Sequence, residues 1–337
     1  MLGSVSRPIQ EEDREGKRII FFPWNFLKNS LFKSKGIEEI LSEFSFGIAV
    51  GRWFESAILL YQSHLPFSLW ISNSVLDSKR AFLENSKFPL KLGRVIYKRV
   101  LVYENKIMKA AKFIWVTSDT SKKNFLNWYK DFNKKIRHLR IPFDDKQNIF
   151  LSDNSKSERR ILFFGRPELS VLDFLGFLRV FKNIKLTAGT EDILLEVLGE
   201  EPKSIFFRFA LRGMELDKDI TFTKINHTDD IDKSFQSSWV YVEPSDFDLM
   251  GIGFLKAVSF GIPVVSCFGS ISGEVVTDGE HGLLVPTRDY ESLNSALSQL
   301  IFNDRVRDDC RNFAYEALKE EFSKKFFDSE LELLQNH

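Results

Sequence analysis

Trp239–Val265 reads WVYVEPSDFDLMGIGFLKAVSFGIPVV. WVYV is apolar without alternation, the pattern of a strand covered on both faces. Pro244 and Ser245 end it. A helix opens near Ile252–Gly253, Gly261 fits the position just past its end, and Pro263 stops it continuing. IPVVSC is then a second buried strand. The unit is strand, loop, helix, strand, which predicts a parallel sheet. The free amides at the start of that helix face the carboxyl end of the first strand. With the helix dipole they favour a diphosphate, and Gly251 and Gly253 let backbone approach closely. Taken alone, the same glycines also suit a purely structural turn.

The alternation extends outward. RILFFGRP, NIKLTAG, KDITFTKI and GLLVP read as strands with helices between them. Upstream, RIIFFPW, FGIAVG, PFSLWISNS, AKFIWVTS and KIRHLRIPFD read the same way. Helices are expected at GIEEILSEF, at RWFESAILLYQSHL, from Lys91 to Lys112, and from Asp119. LSDNSKSER is polar and aperiodic and marks a boundary. The predicted organisation is a disordered lead-in over 1–17, an α/β domain over 18–150, a linker over 151–159, a second α/β domain over 160–320 and a terminal helix over 321–337. Each half is a doubly wound, Rossmann-like domain with ligands at the carboxyl ends of its strands, and two such domains face a cleft.

Bulk properties narrow the class. The chain has 337 residues, 43% of them hydrophobic, with 34 Phe, which is ample core for two domains. Net charge is zero, yet residues 1–150 hold 26 Lys and Arg against 15 Asp and Glu, leaving the second half equally acidic. A basic first half predicts an anionic partner such as a membrane surface, or else a charged face between domains. Two cysteines make neither a disulfide framework nor a zinc site, so a reducing cytoplasm is expected. The opening residues carry no apolar core of a leader, and no run is long and apolar enough to span a bilayer. No nucleic-acid motif is present.

The longer pattern around the quoted stretch resembles the retaining GT-B glycosyltransferases of family 4 (group 1). The likeness is carried by Pro244, Ser245, Gly251, Ala257, Gly261, Pro263, Gly269, Glu274, Asp278, Gly279, Gly282 and Pro286. ILFFGRP, IKLTAG and HTDDIDKSFQSSWVYVEPS resemble family segments upstream, and MKAAKFIWVTSDTSKKNF and KIRHLRIPFD do so loosely. The resemblance implies a GT-B fold whose C-terminal helix crosses back to the first domain, with Phe322, Phe326, Phe327 and Leu331 as its buried face. It implies metal-independent sugar transfer from a nucleoside-diphosphate sugar, with no further cofactor, to a cell-envelope glycan or lipid-linked acceptor. The diphosphate would lie on Gly251, Ile252, Gly253 and Phe254 beside Arg166 and Ser245. Asp248 would touch the donor sugar, and Thr223, Lys224 and Ile225 would border the base.

The chain departs from that pattern in places. The acid expected seven residues or so after Asp248 to receive ribose hydroxyls is replaced by Lys256, which has donors only. Leu172 stands where a phosphate-binding lysine is expected. Lys256 could supply that charge to a phosphate, pair with Asp248, or extend into solvent. The first domain lacks the expected glycine loop, and Asn73 and Ser74 are its candidate polar contacts. These departures also fit a noncatalytic partner subunit or sugar-nucleotide sensor. Asp246-Phe247-Asp248 spells D-x-D, which elsewhere binds metal, but no metal is expected here. Lys91, Arg94, Lys98, Arg99, Lys106, Lys109 and Lys112 fall within about 140° of one helical face, with Glu104 opposite. That stripe would suit anionic headgroups or plain solvent.

Overall fold

The structure, a computed structural model, describes residues 2–5, 10–14, 17–23, 50–51, 61, 67–71, 102, 104–139, 159–165, 167, 171–199, 201–202, 205–225, 228–244, 251–280 and 282–310. Each half contains a parallel sheet. In the first, β4 (Val50–Gly51), β5 (Ser68–Ile71), β6 (Ile114–Val116) and β7 (Ile136–His138) pair in sequential order. Phe67, Leu69, Ile71 and Ile114 pack with Phe125 of α1 (Asp119–Trp128) and with Ile107 and Met108 of the preceding helix.

That preceding helix ends at Ala110. Lys135 donates to the carbonyls of Met108 (3.3 Å), Lys109 (2.7 Å) and Ala111 (2.7 Å), so a cation closes the negative end of the helix. Burial holds the Lys135 ammonium below its ordinary pKa. Lys112, expected on the helix, therefore lies past its end, and its amide binds Phe67 O at 2.8 Å. Lys106 and Lys109 are exposed, whereas Glu104 is buried and receives the Tyr129 hydroxyl. Lys91, Arg94, Lys98 and Arg99 lie outside the described residues.

The N-terminal expectation is corrected. Leu2–Val5 (β1) and Gln10–Arg14 (β2) are strands on either side of Lys17–Pro23 (β3), β1 parallel and β2 antiparallel to it. The apolar run RIIFFP thus belongs to a separate three-stranded sheet and does not open the parallel one. Charge in Glu11–Arg14 leaves backbone pairing available, and Asp13 stands opposite Arg18 in the register.

The second half holds β8 (Arg160–Phe164), α2 (Val171–Lys185), β9 (Leu194–Leu198), α3 (Ile205–Gly213), β10 (Ile220–Thr223), α4 (Thr228–Gln236), β11 (Val240–Val242), α5 (Ile252–Ser259), β12 (Val264–Cys267), α6 (Ile271–Val275), β13 (Leu283–Val285) and α7 (Tyr290–Phe302). The six strands are all parallel, in the order β10-β9-β8-β11-β12-β13. One face is covered by α2, α3 and α7 through Phe174, Phe177, Phe181, Phe207 and Leu297. The other is covered by α4 and α5 through Phe235, Phe254 and Val258. Strand order reverses between β8 and β11, which opens a crevice at their carboxyl ends.

One strand is displaced from its expected place. Asn183–Lys185 closes α2, because Phe174, Phe177, Phe181 and Ile184 keep a helical spacing on the buried face. Leu186–Asp192 is turn and connection, and the strand is Leu194–Leu198. Residues 151–158 of the expected linker over 151–159, and the terminal helix expected over 321–337, lie outside the described residues.

Both cysteines are buried, and burial pushes the Cys310 thiol up to about 11. Cys267 and Cys310 are therefore expected to stay unreacted with a disulfide dye at pH 8 over many minutes. Both should titrate once guanidinium unfolds the chain.

Candidate functional site

The crevice is built by close backbone approaches. Gly165 N binds Leu198 O at 3.1 Å, and Gly199 N binds Thr223 O at 3.0 Å, so the ends of β8, β9 and β10 are drawn together. A Cβ on Gly199 would lie 2.2 Å from Gly165 O, which leaves glycine as the residue that fits. Across the reversal, Gly251 takes φ +73° and its carbonyl receives Leu255 N at 2.8 Å, which starts α5. The amides of Ile252, Gly253 and Phe254 form its first turn at the carboxyl end of β11. A Cβ on Gly253 would stand 2.0 Å from the Tyr241 hydroxyl and 3.1 Å from Phe164 Cδ1. The glycine is thus required by helix–sheet packing. Phe254 is fully buried, so it offers a ligand its amide and not its ring. Gly261, at φ +64°, follows the helix, and its amide binds Val258 O at 2.9 Å.

Polar side chains around the crevice are largely committed. The Thr223 hydroxyl donates to Glu196 at 2.8 Å, as does that of Ser234 at 2.7 Å. Arg160 Nη1 reaches the other Glu196 oxygen at 2.8 Å. Thr223 therefore has its side chain turned to the sheet, and the strand end offers backbone around Lys224 and Ile225. Lys224 is exposed and Ile225 half-buried.

Lys256 has a partner that its place in the sequence did not reveal. Its ammonium pairs with Asp232 on α4 and sits 5.4 Å from the centre of the Phe260 ring. Its side chain is only 21% exposed, so the solvent-extended reading is set aside. The charge expected at this place on α5 is inverted, and an acid on the neighbouring helix answers it.

A buried cluster lies beside the crevice, between the ends of β11 and β12. Glu243 follows β11 directly and is 7% exposed. Its Oε2 accepts from Ser266 (3.1 Å) and Ser272 (2.9 Å). Ser270 lies 2.9 Å from Ser266 and 2.6 Å from Ser272, and it caps α6 by accepting from Gly273 N at 3.2 Å. Ser270 also donates to Cys267 O at 2.8 Å, which ties the cluster to the end of β12. The signal was an acid placed between a buried strand and a proline, EPS, with serines in and just after the next strand.

Arg166, Ser245, Asp248, Asn73 and Ser74 lie outside the described residues. Among the described residues, no three His, Cys, Asp or Glu side chains gather as a metal site, and no helix is long and apolar enough to cross a membrane.

The family model for Glycosyl transferases group 1 matches residues 145–317, just over half of the chain and the whole of this crevice. The chain belongs to this family. This group 1 chain is 28% identical over 151 residues to sulfoquinovosyl transferase of Arabidopsis thaliana, a stretch covering 43% of the chain and 29% of that protein. It is 29% identical over 115 residues to poly(glycerol-phosphate) alpha-glucosyltransferase of Bacillus subtilis, covering 31% of the chain and 16% of that protein. The match therefore spans less than a third of either relative. Among solved structures, sucrose-phosphate synthase from Thermosynechococcus elongatus superposes with a TM-score of 0.76 at 16% identity, over 100% of this chain and 88% of that one. An Anabaena protein in complex with UDP and glucose gives 0.66 at 14% identity, over 93% and 84%. The fold is GT-B, two Rossmann-like domains.

Gly253→Ala is expected to destabilise the second half by about 1–3 kcal/mol, the ordinary range for overpacking. Chemical denaturation followed by circular dichroism checks it. For the ion pair, a double-mutant cycle of Lys256→Met and Asp232→Asn should give a coupling of at most about 1 kcal/mol, falling with salt, because both groups retain solvent.

Proposed function

We propose that this protein is a glycosyltransferase that moves a sugar, with retention of anomeric configuration, from a nucleoside-diphosphate sugar to a glycan or lipid-linked acceptor. The observation that carries the reading is the first turn of α5, opened by Gly251 at the sheet reversal and lying within the family match. Three preorganised amides there aim at the place where a departing diphosphate gathers charge. Names among the relatives agree, since one is a GDP-mannose-dependent alpha-mannosyltransferase of Corynebacterium glutamicum and another an alpha-glucosyltransferase.

In this reading the amides of Ile252–Phe254 and the Arg166 guanidinium hold the diphosphate. Asp248 accepts from a donor-sugar hydroxyl, and backbone at Lys224–Ile225 borders the base. The acceptor oxygen bonds to the anomeric carbon as the bond to the diphosphate breaks. The diphosphate keeps the electron pair and takes the hydroxyl proton. No metal or cofactor enters these steps. Lys256 contributes little to phosphate binding, because Asp232 already answers its charge. The basic first half suits an acceptor carried at an anionic lipid surface.

Calorimetry with UDP-, GDP-, ADP- and dTDP-sugars tests this. One donor should bind, Arg166→Ala should weaken it at least about tenfold, and Lys256→Ala should change it by less than about threefold. Asp248→Ala should lower transfer more than donor binding. Binding without transfer to any acceptor would favour the sensor reading, for which the inverted charge at Lys256 is the motivating observation. Absence of binding by a folded sample would end the donor-site proposal.

A further inference from the structure

Among the described residues, a charged contact joins the first domain to the second. Glu274 Oε2 accepts from Asp119 N at 2.9 Å, and Glu274 Oε1 accepts from Thr120 N at 2.8 Å. Asp119 and Thr120 are the first two residues of α1, and Ser118 caps the next free amide by accepting from Ser121 N at 2.9 Å. The carboxylate from the second domain thus completes the N-terminal cap of a helix in the first, at the positive end of its dipole.

Two features mount Glu274 for this. Ser270, tied to Ser266, Ser272 and through them to Glu243, caps α6, on which Glu274 sits. Gly273 lets α6 lie against the end of β12, since a Cβ there would be 2.5 Å from Cys267 O and 2.6 Å from Phe268 O. The mount is rooted beside the crevice. The contact itself is open to water, exposed at Asp119 and partly buried at Thr120. When it opens, both amides and the carboxylate hydrate, so it can release and re-form.

We propose that Glu274 is a positioning residue: a reversible latch that sets the approach of the first domain to the crevice by capping α1. For its kinetic consequence this rests on the transferase reading. A latch holds the two reactants' domains in register and leaves donor binding, which belongs to the second domain, largely alone.

The test places spin labels at Lys123→Cys on α1 and Gln299→Cys on α7, both exposed positions, in the full chain with its native cysteines buried. The parent should give a narrow distance distribution. Glu274→Ala should broaden or lengthen it, and Glu274→Gln should do so less. Asp119→Pro removes one donor while suiting the site, since Ser118 is already extended (φ −156°, ψ 164°) and proline is favoured at the first helical position. It should act like a partial Glu274→Ala, whereas Asp119→Ala, which keeps the amide, should leave the distribution narrow. With a donor identified, Glu274→Ala should keep the donor Kd within about twofold and lower turnover at least about tenfold. Unchanged distances in folded Glu274→Ala and Glu274→Gln proteins would overturn the latch. An equal loss in donor Kd and turnover would overturn its positioning role. A parent that transfers no sugar counts against the transferase reading alone, because the distance measurement still decides the latch.

Discussion

The first turn of α5 can reach the sheet only because residue 253 has no side chain. The Tyr241 hydroxyl and the Phe164 ring occupy the space where a Cβ would project. With that approach allowed, the amides of residues 252–254 are brought to the reversal between β8 and β11. Without it the helix would stand off, and its free donors would face solvent instead of the crevice. Gly199 against Gly165 O imposes the same demand on the opposite wall. The geometry of the site is thus set by van der Waals contact between backbone and core before any ligand is involved.

The unit that decides the fold was readable because its signals are local. A buried strand, the opening of the helix and a helix-ending glycine sit where the pattern put them, at Val240–Val242, Ile252 and Gly261. NIKLTAG misled because apolar residues at a helix end look like a short strand. The decision lay in the spacing back to Phe174, a helix away. The strands at Leu2–Val5 and Gln10–Arg14 escaped because pairing is a backbone property that charged sequence neither announces nor forbids.

Partnerships across elements were the other illegible class. Lys256 invited three explanations from its own helix, yet its counter-charge sits on α4. Glu243 and the serines around it are separated in sequence by more than twenty residues and meet only because β11 and β12 are neighbours. Glu274 was visible as part of a motif, but its bond to α1 spans two domains. Motif spacing reports which residues matter on one element. It carries no information about which element will face them.

Glu196 has a consequence for the sheet itself. A parallel sheet that is apolar on both faces looks nearly the same after one strand slides past the next by two residues. Hydrophobic burial therefore fixes which side is which better than it fixes position along the strand. Glu196 stands level with Leu162 on β8 and Thr221 on β10, and it is tied to Arg160, Thr223 and Ser234. A slip of two residues would strand a carboxylate in the interior without those donors, at a penalty of several kcal/mol. The residue acts as an index mark: it encodes the alignment of three strands, and so the height at which their loops meet the crevice.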